Sequence, residues 1–358
     1  MTGRVVIAGG GTGGHVFPGL AVAQELLTLG LEVHWLGARR GLEAELVPER
    51  GLPLTLVELE GIQARSPAAA AKAVTLLPRA VATAVRTLLS LDPIAVVGVG
   101  GYASAAGLAA AGLLGIPTVL QEQNSIPGLT NRFLAPFSDL ICCGFADVVA
   151  RFPSLPAEWT GNPVRGRFFE VPPIEPHDPP RILVLGGSQG SLFLNRTVPR
   201  ALATLAGRGI ECTVRHQAGG RWAEVVSTSY ADLDLEAEVS AFLTEPWRDL
   251  GDANLVVARS GALTVSELAA AGRGAVLVPF AAAAGNHQEY NARSLERAGG
   301  AVVLTESEVT PARLAGVLGD ILSDPARMRS MGAAAAAVAL PDAAGRIARR
   351  VIDVGGGG

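Results

Sequence analysis

Residues 5–26, VVIAGGGTGGHVFPGLAVAQEL, decide the fold class. An apolar run leads into glycines and then into helix-forming residues, which is the order of strand, turn and helix that opens a Rossmann-like domain. Gly9, Gly11 and Gly14 fit the pattern G-x-G-x-x-G. Such glycines let the backbone approach a phosphate or a sugar at the free N–H groups of a helix N-terminus.

The same order recurs in residues 181–195, RILVLGGSQGSLFLN. Around both openings, short apolar runs alternate with Ala- and Leu-rich helical stretches. The runs are VVIAGG, LEVHWLG, LTLVEL, AVVGVG, PTVLQE and DLICCG in the first half, and ILVLGG, CTVRHQ, AEVSAF, LVVARS, AVLVPF and AVVLTE in the second. Continuous apolar strands separated by helices predict two α/β domains, each with a parallel sheet covered on both faces.

Composition indicates where the domains begin and end. Six prolines fall between positions 163 and 180, where neither a helix nor a central strand can continue, so 163–180 is expected to be a linker. We expect an N-terminal domain over 1–162 and a C-terminal domain over 181–340. A last helix over 341–354 is expected to pack back on the N-terminal domain, and the glycines at 355–358 are expected to be disordered.

Charge and composition exclude several classes of protein. Hydrophobic residues make up 49% of the 358 residues and charged residues 17%, which is too apolar for a disordered chain. The formal net charge of −4 provides no global basic field, so no nucleic-acid partner is expected. Three cysteines are too few for a disulfide framework and lack zinc-site spacing.

Two further segments bear on location. The N-terminus enters a strand and a glycine turn at once, without the pattern of a signal peptide, which predicts a cytoplasmic protein. The uncharged stretch 94–120 is long enough to span a bilayer, but it contains six glycines and Pro117. It is therefore predicted to be a buried βαβ unit.

The first glycine turn does not identify its ligand. A dinucleotide site also requires an acidic residue for the ribose at the end of the second strand, about 20 residues further along the chain. That strand ends instead in Gly37, Ala38 and Arg39. An NADP site that uses Arg39 or Arg40 remains an alternative.

A third turn lies in residues 255–272, LVVARSGALTVSELAAAG, after another apolar run. N–H groups and hydroxyls at this helix start suit a diphosphate, and Glu267 could accept both hydroxyls of a ribose. Thr264 and Glu267 also have the spacing of a capping box, a structural feature with no ligand. The spacing alone leaves both interpretations open.

Seven motifs follow one another along the chain: GGGTGGHVFPGLAVA, GVGGYAS, QEQNSIPGLTNRFLA, GNPVR, VLGGSQGSLFLN, ARSGALTVSELAAAG and NHQEYNA. From Arg4 to about Arg350 they resemble the MurG family, UDP-N-acetylglucosamine transferases of peptidoglycan synthesis. The resemblance implies a GT-B fold, in which two Rossmann-like domains have parallel sheets facing a central cleft. It implies inverting transfer of GlcNAc from UDP-GlcNAc to the C4 hydroxyl of MurNAc in lipid I, undecaprenyl-diphospho-MurNAc-pentapeptide, to form lipid II without a metal or other cofactor.

The same resemblance implies a location and partners. The enzyme would attach peripherally to the cytoplasmic face of the cell membrane, on anionic inner-leaflet lipid, and would serve cell-wall growth, cell shape and division. Other cell-wall synthesis and division proteins are further candidate partners.

Site roles carry over on matching motif positions. Those facing the sugar are Thr12, Gly13, Gly14 and Asn124. Those approaching the diphosphate are Arg165 and Ser188, and those lining the phosphates are Ala262, Leu263, Thr264, Val265 and Ser266. Leu243 contacts the uracil, Glu267 holds the ribose and Gln288 reads the GlcNAc hydroxyls. Gln121 departs from the family, which often has His there, and the Ala-rich stretch 281–285 is commonly polar in relatives.

Transfer needs a base for the acceptor hydroxyl, and two residues are candidates. His15 lies at a helix N-terminus, where the helix dipole favours the neutral imidazole. Glu122 ends a parallel strand at the edge where ligands bind. A packing role for His15, and an ion pair or backbone clamp for Glu122, are the structural alternatives.

Departing UDP would be stabilised by helix N-termini and Arg165. Asp232 and Asp234 form a D-x-D, as in metal-dependent glycosyltransferases, but they lie in an acidic stretch and do not follow an apolar strand. We therefore expect no metal site.

A basic stripe is the candidate membrane surface. Residues 61–91 contain no Asp or Glu, while Arg65, Lys72, Arg79 and Arg86 recur every seven residues. On a helix these side chains would share one face beside apolar residues, although Pro67 and Pro78 argue that the stripe is split over two helices. An ordinary solvated helix face is the alternative.

Three other functions stay open at this stage. One is a different GT-B enzyme, such as a UDP-sugar:lipid glycosyltransferase or a UDP-GlcNAc 2-epimerase-like enzyme. The others are an NADP-dependent reductase and a non-catalytic nucleotide-sugar sensor.

Overall fold

The computed structural model describes residues 3–39, 41–58, 67–175, 177–187 and 189–356, with the backbone alone for 67–75 and 284. The chain forms two compact units. The first comprises Met1–Val164 and Asp342–Gly358, and the second comprises Arg165–Pro341.

The first unit is built on a seven-stranded parallel sheet in the order β3-β2-β1-β4-β5-β6-β7. Its strands are β1 (Arg4–Ala8), β2 (Glu32–Ala38), β3 (Leu54–Val57), β4 (Ala95–Gly98), β5 (Thr118–Glu122), β6 (Leu140–Cys143) and β7 (Ala157–Trp159). Its helices are α1 (Gly13–Thr28), α2 (Glu43–Glu49), α3 (Pro67–Leu91), α4 (Tyr102–Leu114), α5 (Leu129–Leu134) and the last helix of the chain, α13 (Ala343–Gly355), with 3₁₀ turns at Ala135–Phe137 and Ala146–Arg151.

The second unit has a six-stranded parallel sheet in the order β10-β9-β8-β11-β12-β13. Its strands are β8 (Arg181–Leu185), β9 (Thr213–Gln217), β10 (Ala237–Ser240), β11 (Leu255–Ala258), β12 (Ala275–Leu277) and β13 (Ala301–Val303). Its helices are α6 (Leu192–Ala206), α7 (Ala223–Ala231), α8 (Pro246–Asp252), α9 (Ala262–Ala270), α10 (His287–Arg297), α11 (Pro311–Leu322) and α12 (Pro325–Ala336), with 3₁₀ turns at Gly166–Glu170 and Ala284–Asn286.

Both sheets reverse their strand order at one point, between β1 and β4 in the first and between β8 and β11 in the second. This is the doubly wound Rossmann topology, in which ligands bind outside the carboxyl ends of the strands at the reversal. The fold class and all twelve apolar runs predicted as strands are confirmed. The uncharged stretch 94–120 is β4, α4 and the start of β5, as predicted. None of the helices among the described residues is both long and apolar enough to cross a bilayer.

The core of each unit lies on the faces of its sheet. In the first unit, α1 and α13 pack on one face and α3 and α4 on the other. Ile347, Ala348 and Val351 of α13 are fully buried there. In the second unit, α6, α7 and α11 cover one face of the sheet.

The elements differ from the sequence predictions in three places. The short strand β7 was missed, because AEW has no apolar run. The prediction that Pro78 splits the basic segment was wrong, since α3 continues through it. Gly355, expected in a disordered tail, is the last residue of α13, and 357–358 lie outside the described residues.

The proline-rich segment is held against the second unit from Arg165 onward. Phe168 is fully buried and makes an edge-to-face contact with Trp247. The buried guanidinium of Arg273 donates to the Pro172 carbonyl at 2.9 Å, and Asn254 donates to the Glu175 carbonyl at 2.7 Å.

Candidate functional site

The first glycine turn connects β1 to α1 at the reversal point of its sheet. Gly9, Gly10 and Gly11 have φ values of 148°, 152° and 95°, a region that favours glycine. The Gly10 N–H donates to the Gly100 carbonyl in the turn after β4 at 3.2 Å. Thr12 is the N-cap of α1, so Gly13 and Gly14 present the first N–H groups of that helix.

His15 is the third residue of α1 and is half-buried. Its Nδ1 lies 3.2 Å from the Gly10 carbonyl oxygen. A carbonyl can only accept, so Nδ1 carries the proton and the lone pair of the neutral ring lies on Nε2. The ring lies against Gly100, where a Cβ would come within 2.7 Å of the His15 Cδ2. The turn therefore fixes both the orientation and the tautomer of His15.

Glu122 is buried at the end of β5, and its carboxylate is fully engaged. Oε1 accepts from the N–H of Asn124 at 2.8 Å and from its side-chain amide at 3.3 Å. Oε2 accepts from Gly128 N at 3.0 Å and from Asn131 Nδ2 at 2.8 Å. Burial raises the pKa of Glu122, and these four hydrogen bonds oppose that rise. The geometry is that of a clamp that holds the loop after β5 and orients Asn124.

Glu43 is a residue of this turn that sequence reasoning missed. It is the first residue of α2 and is fully buried. Its Oε2 accepts from the Gly11 N–H at 2.7 Å and its Oε1 from the Ala38 N–H at 2.9 Å. A carboxylate therefore occupies the Gly11 amide, which a dinucleotide diphosphate would use in a Rossmann turn. The negative charge of Glu43 would repel a dinucleotide diphosphate, which disfavours the NADP alternative.

In the second unit, α9 begins at Ala262 with Gly261 as its N-cap. Thr264 is thus the third residue of the helix, and the capping-box interpretation is wrong. Its first turn presents the N–H groups of Ala262, Leu263 and Thr264, which have no acceptor within the helix. The other two residues predicted to line the phosphates lie further into the helix. Ser266 donates its hydroxyl to the Ala262 carbonyl at 2.9 Å, and Val265 is buried.

Glu267 and Arg165, two predicted site residues 102 positions apart, interact electrostatically in the second unit. Removal from water raises the pKa of Glu267 to about 7, and the positive charge of Arg165 counteracts the rise. The Arg165 guanidinium lies over the rings of Trp247 and Phe168, at 4.4 and 5.3 Å from their centroids. The two aromatic rings therefore hold the exposed Arg165 where its charge acts on the Glu267 carboxyl group.

Gln288 joins the ends of two strands. Its Oε1 accepts from Ser260 N at 3.3 Å and from Phe280 N at 3.0 Å, and its carbonyl accepts from the Ser260 hydroxyl at 2.8 Å. With the amide oxygen so engaged, the Nε2 group is the part of Gln288 suited to donate to sugar hydroxyls.

Arg259 is a second residue that the sequence did not single out. Buried after β11, it donates to the Ser191 hydroxyl at 2.9 Å and to the carbonyls of Val278 and Pro279 at 3.0 and 3.1 Å. It also forms an ion pair with Glu306 at 2.6 Å. Arg259 thereby ties together the loops that follow β8, β11 and β12, next to Ser260. Its position directly before the SGALT turn was the available signal.

The remaining predicted residues stand as follows. Leu243 is buried between β10 and α8. Ser188 lies outside the described residues. Asp232 and Asp234 are exposed at the C-terminal end of α7. Within the described ranges no three His, Cys, Asp or Glu side chains are grouped so as to hold a metal ion.

Two of the four basic residues of the predicted stripe can be described. Arg79 and Arg86 are exposed on α3, while Arg65 and the side chain of Lys72 lie outside the described residues. Sequence reasoning missed three strongly exposed apolar side chains of the same unit: Leu129 (73%), Phe133 (75%) and Phe137 (77%), on α5 and the turn after it. Their spacing of four residues was the available signal.

Comparison with known proteins identifies the family. Residues 5–142 match the glycosyltransferase family 28 N-terminal domain, and residues 181–347 match the C-terminal domain of the same family. Relatives in Stutzerimonas stutzeri and Ectopseudomonas mendocina are 42% and 44% identical over 99% of this chain and 98% of their own. Both are named UDP-N-acetylglucosamine–N-acetylmuramyl-(pentapeptide) pyrophosphoryl-undecaprenol N-acetylglucosamine transferase.

The crystal structure of Acinetobacter baumannii MurG is 33% identical, with a TM-score of 0.84 over 98% of this chain and 99% of that one. The chain belongs to the MurG family. The glycotransferase of kitacinnamycin, at 16% identity and a TM-score of 0.72, shares the fold alone. The fold is therefore GT-B, as the motifs shared with the MurG family implied.

Proposed function

We propose that this protein transfers GlcNAc from UDP-GlcNAc to the C4 hydroxyl of MurNAc in lipid I and so forms lipid II in peptidoglycan synthesis. The observation that carries the proposal is similarity over nearly the whole chain to relatives that bear the name of this activity. The proposed reaction is the transfer of a hexosyl group with inversion of its anomeric centre.

Donor binding falls to the second unit. The N–H groups at the start of α9 and the guanidinium of Arg165 supply positive charge for the diphosphate. Glu267 accepts the ribose hydroxyls, and the amide of Gln288 donates to those of GlcNAc. The electrostatic interaction between Arg165 and Glu267 supports grouping these residues at one nucleotide.

His15 is the base in this proposal, and Glu122 is a positioning residue. His15 has its proton on Nδ1 and its lone pair on Nε2, which is the atom that takes the acceptor proton. Glu122 is occupied by four hydrogen bonds, and a carboxylate used in this way orients Asn124 toward the sugar.

Loss of UDP needs stabilisation of the diphosphate charge, which α9 and Arg165 supply. The transfer then needs no metal ion or other cofactor. This part of the proposal rests on the fixed positive groups of the second unit.

We also propose peripheral attachment to the cytoplasmic face of the membrane, where lipid I is held. Support comes from the exposed Arg79 and Arg86 in a segment free of Asp and Glu, and from the exposed Phe133 and Phe137 in the same unit. Basic side chains suit anionic inner-leaflet lipid, and exposed aromatic rings suit the interface. Other cell-wall synthesis and division proteins would meet the enzyme there.

The test is incubation with UDP-GlcNAc labelled in the sugar and a lipid I analogue, with and without excess EDTA. Labelled lipid II in both reactions is expected. Donor binding without transfer would favour a nucleotide-sugar sensor, and transfer only to another lipid would favour a related glycosyltransferase. Loss of transfer in EDTA would contradict the metal-independent part alone.

A further inference from the structure

The peptide group between Gly10 and Gly11 lies between two functional side chains. Its N–H, from Gly11, donates to Glu43 Oε2 at 2.7 Å. Its C=O, from Gly10, accepts from His15 Nδ1 at 3.2 Å. In a trans peptide these two groups point in opposite directions, so Glu43 and His15 hold opposite ends of the same plane.

We propose that Glu43 is a positioning residue for His15 that acts through this single peptide group. The inference rests on the proposed function, in which His15 is the base. A carboxylate hydrogen-bonded to the N–H polarises the peptide and makes its carbonyl a better acceptor for the imidazole N–H. An aspartate that orients an imidazole directly plays the same part in hydrolase triads.

The surrounding sequence is built to admit this carboxylate. A Cβ on Gly10 would lie 2.0 Å from the Glu43 carboxyl carbon, and one on Gly41 would lie 2.0 Å from Oε2. A Cβ on Gly37 would lie 2.6 Å from the Glu43 Cγ. Three glycines therefore leave room for the one buried side chain of Glu43. A solvent-exposed glutamate at a helix start would need no such space.

The second contact of Glu43 fixes its position. Oε1 accepts from the Ala38 N–H at the end of β2, so the carboxylate bridges the β2 end and the glycine turn. Without it, the Gly10–Gly11 peptide loses the hydrogen bond that holds its N–H, and the wide range of φ and ψ open to glycine permits the peptide plane to rotate. Rotation would break the bond to His15 and release the ring.

The test is Glu43→Gln, assayed for GlcNAc transfer to a lipid I analogue. Gln keeps the shape, but its NH₂ faces either the Gly11 or the Ala38 N–H, so one bond is lost. We expect kcat to fall about ten- to a hundredfold, as for a misplaced catalytic group. The Kd for UDP, measured by calorimetry, should stay within about twofold, because the proposed donor groups belong to the second unit.

A double-mutant cycle separates positioning from general damage. In a His15→Ala background, Glu43→Gln should lower kcat by less than about threefold, since its target is already gone. An equal loss in both backgrounds, or a kcat of Glu43→Gln close to that of the parent, would overturn the inference. Glu45→Gln, exposed two residues further along α2, is the matched control.

A second variant covers misfolding of Glu43→Gln. Gly41→Ala displaces the carboxylate sterically and leaves its charge in place. It should show the same lowered kcat with retained UDP binding, and normal turnover would count against the inference. If the unsubstituted protein transfers no GlcNAc, the proposed function fails, whatever the Glu43 variants do.

Discussion

The guanidinium of Arg165 lies over the indole ring of Trp247, with 4.4 Å between the guanidinium carbon and the ring centroid. The ring contact restrains the guanidinium, which is exposed, so its N–H groups are available to a diphosphate. Lysine has no planar group to stack on the ring and cannot bind a diphosphate through two parallel N–H groups. We expect Arg165→Lys to raise the KM for UDP-GlcNAc by roughly ten- to a hundredfold, the loss of one charge-assisted hydrogen bond. Arg167→Lys, an exposed position two residues on that pairs with Glu170, is the control; equal KM values for the two variants would contradict the assignment.

Donor binding should depend on pH through Glu267. Its pKa is raised to about 7, and the ionised form is the better acceptor for ribose hydroxyls. The Kd for UDP should therefore rise as the pH falls below 7, by up to about tenfold per pH unit. Glu267→Gln should bind UDP more weakly at pH 8 and show a shallower dependence than the parent, as measured by calorimetry between pH 6 and 8.5. Glu224→Gln, exposed on α7, should behave as the parent; the idea is wrong if Glu267→Gln keeps the slope.

His15 and Glu122 should fail in different ways. His15→Ala removes the proposed base and should lower kcat by about a hundredfold or more, with folding stability and UDP affinity little changed. Glu122→Gln places an NH₂ against the donors of Gly128 and Asn131, or of Asn124, and should cost about 1–3 kcal/mol in the free energy of unfolding. Both are measured by transfer assay and urea denaturation. Loss of turnover in Glu122→Gln at unchanged stability would return Glu122 to the role of base.

His216 should make the folded protein sensitive to acid. Its ring is fully buried, with Nδ1 2.9 Å from the Tyr230 hydroxyl and Nε2 3.1 Å from Asn195 Oδ1. Burial lowers the pKa of His216 to about 4, so between pH 6.5 and 4 the unfolded chain takes up a proton that the folded chain does not. The free energy of unfolding should fall by about 3 kcal/mol across that window. In urea titrations from pH 7 to 4.5, His216→Asn should show a shallower loss than the parent and His177→Asn the same loss; parallel curves for parent and His216→Asn would refute the linkage.

Membrane attachment should depend on the basic face of α3. Each basic residue near an anionic surface contributes about 1 kcal/mol, so Arg79→Gln with Arg86→Gln should weaken binding to anionic vesicles roughly thirtyfold. Neutral vesicles should show little change in co-sedimentation. The paired control is Arg196→Gln with Arg200→Gln, exposed on α6 of the second unit. A similar loss for both pairs, or none for the α3 pair, would argue against the basic stripe.

Apolar patterning predicted most of the fold because most buried parallel strands carry a run of several Val, Ile or Leu residues close together. VVIA and LVVA are such runs, and they are β1 and β11. AEW lacks one and was missed as β7. Pro78 was misjudged, since packing of α3 on α4 outweighs one missing backbone hydrogen bond.

The candidate site was predictable only in part, because motifs identify residues by their neighbours in sequence. Glu43 acts on Gly11, 32 positions away, and Arg259 on Ser191, 68 positions away. A glutamate at a helix start is usually solvated, and only the tertiary fold buries this one. Thr264 was open to two interpretations until the start of α9 was known.

The last helix belongs to the unit that the chain began. The second unit is one continuous segment, whereas the first lacks Ile347, Ala348 and Val351 of its core until α13 joins it. During synthesis on the ribosome, the second unit can therefore complete its core before the first does. Any shortening of the chain at its carboxyl end would therefore remove packing from α1, which begins 330 residues before α13 in order of synthesis.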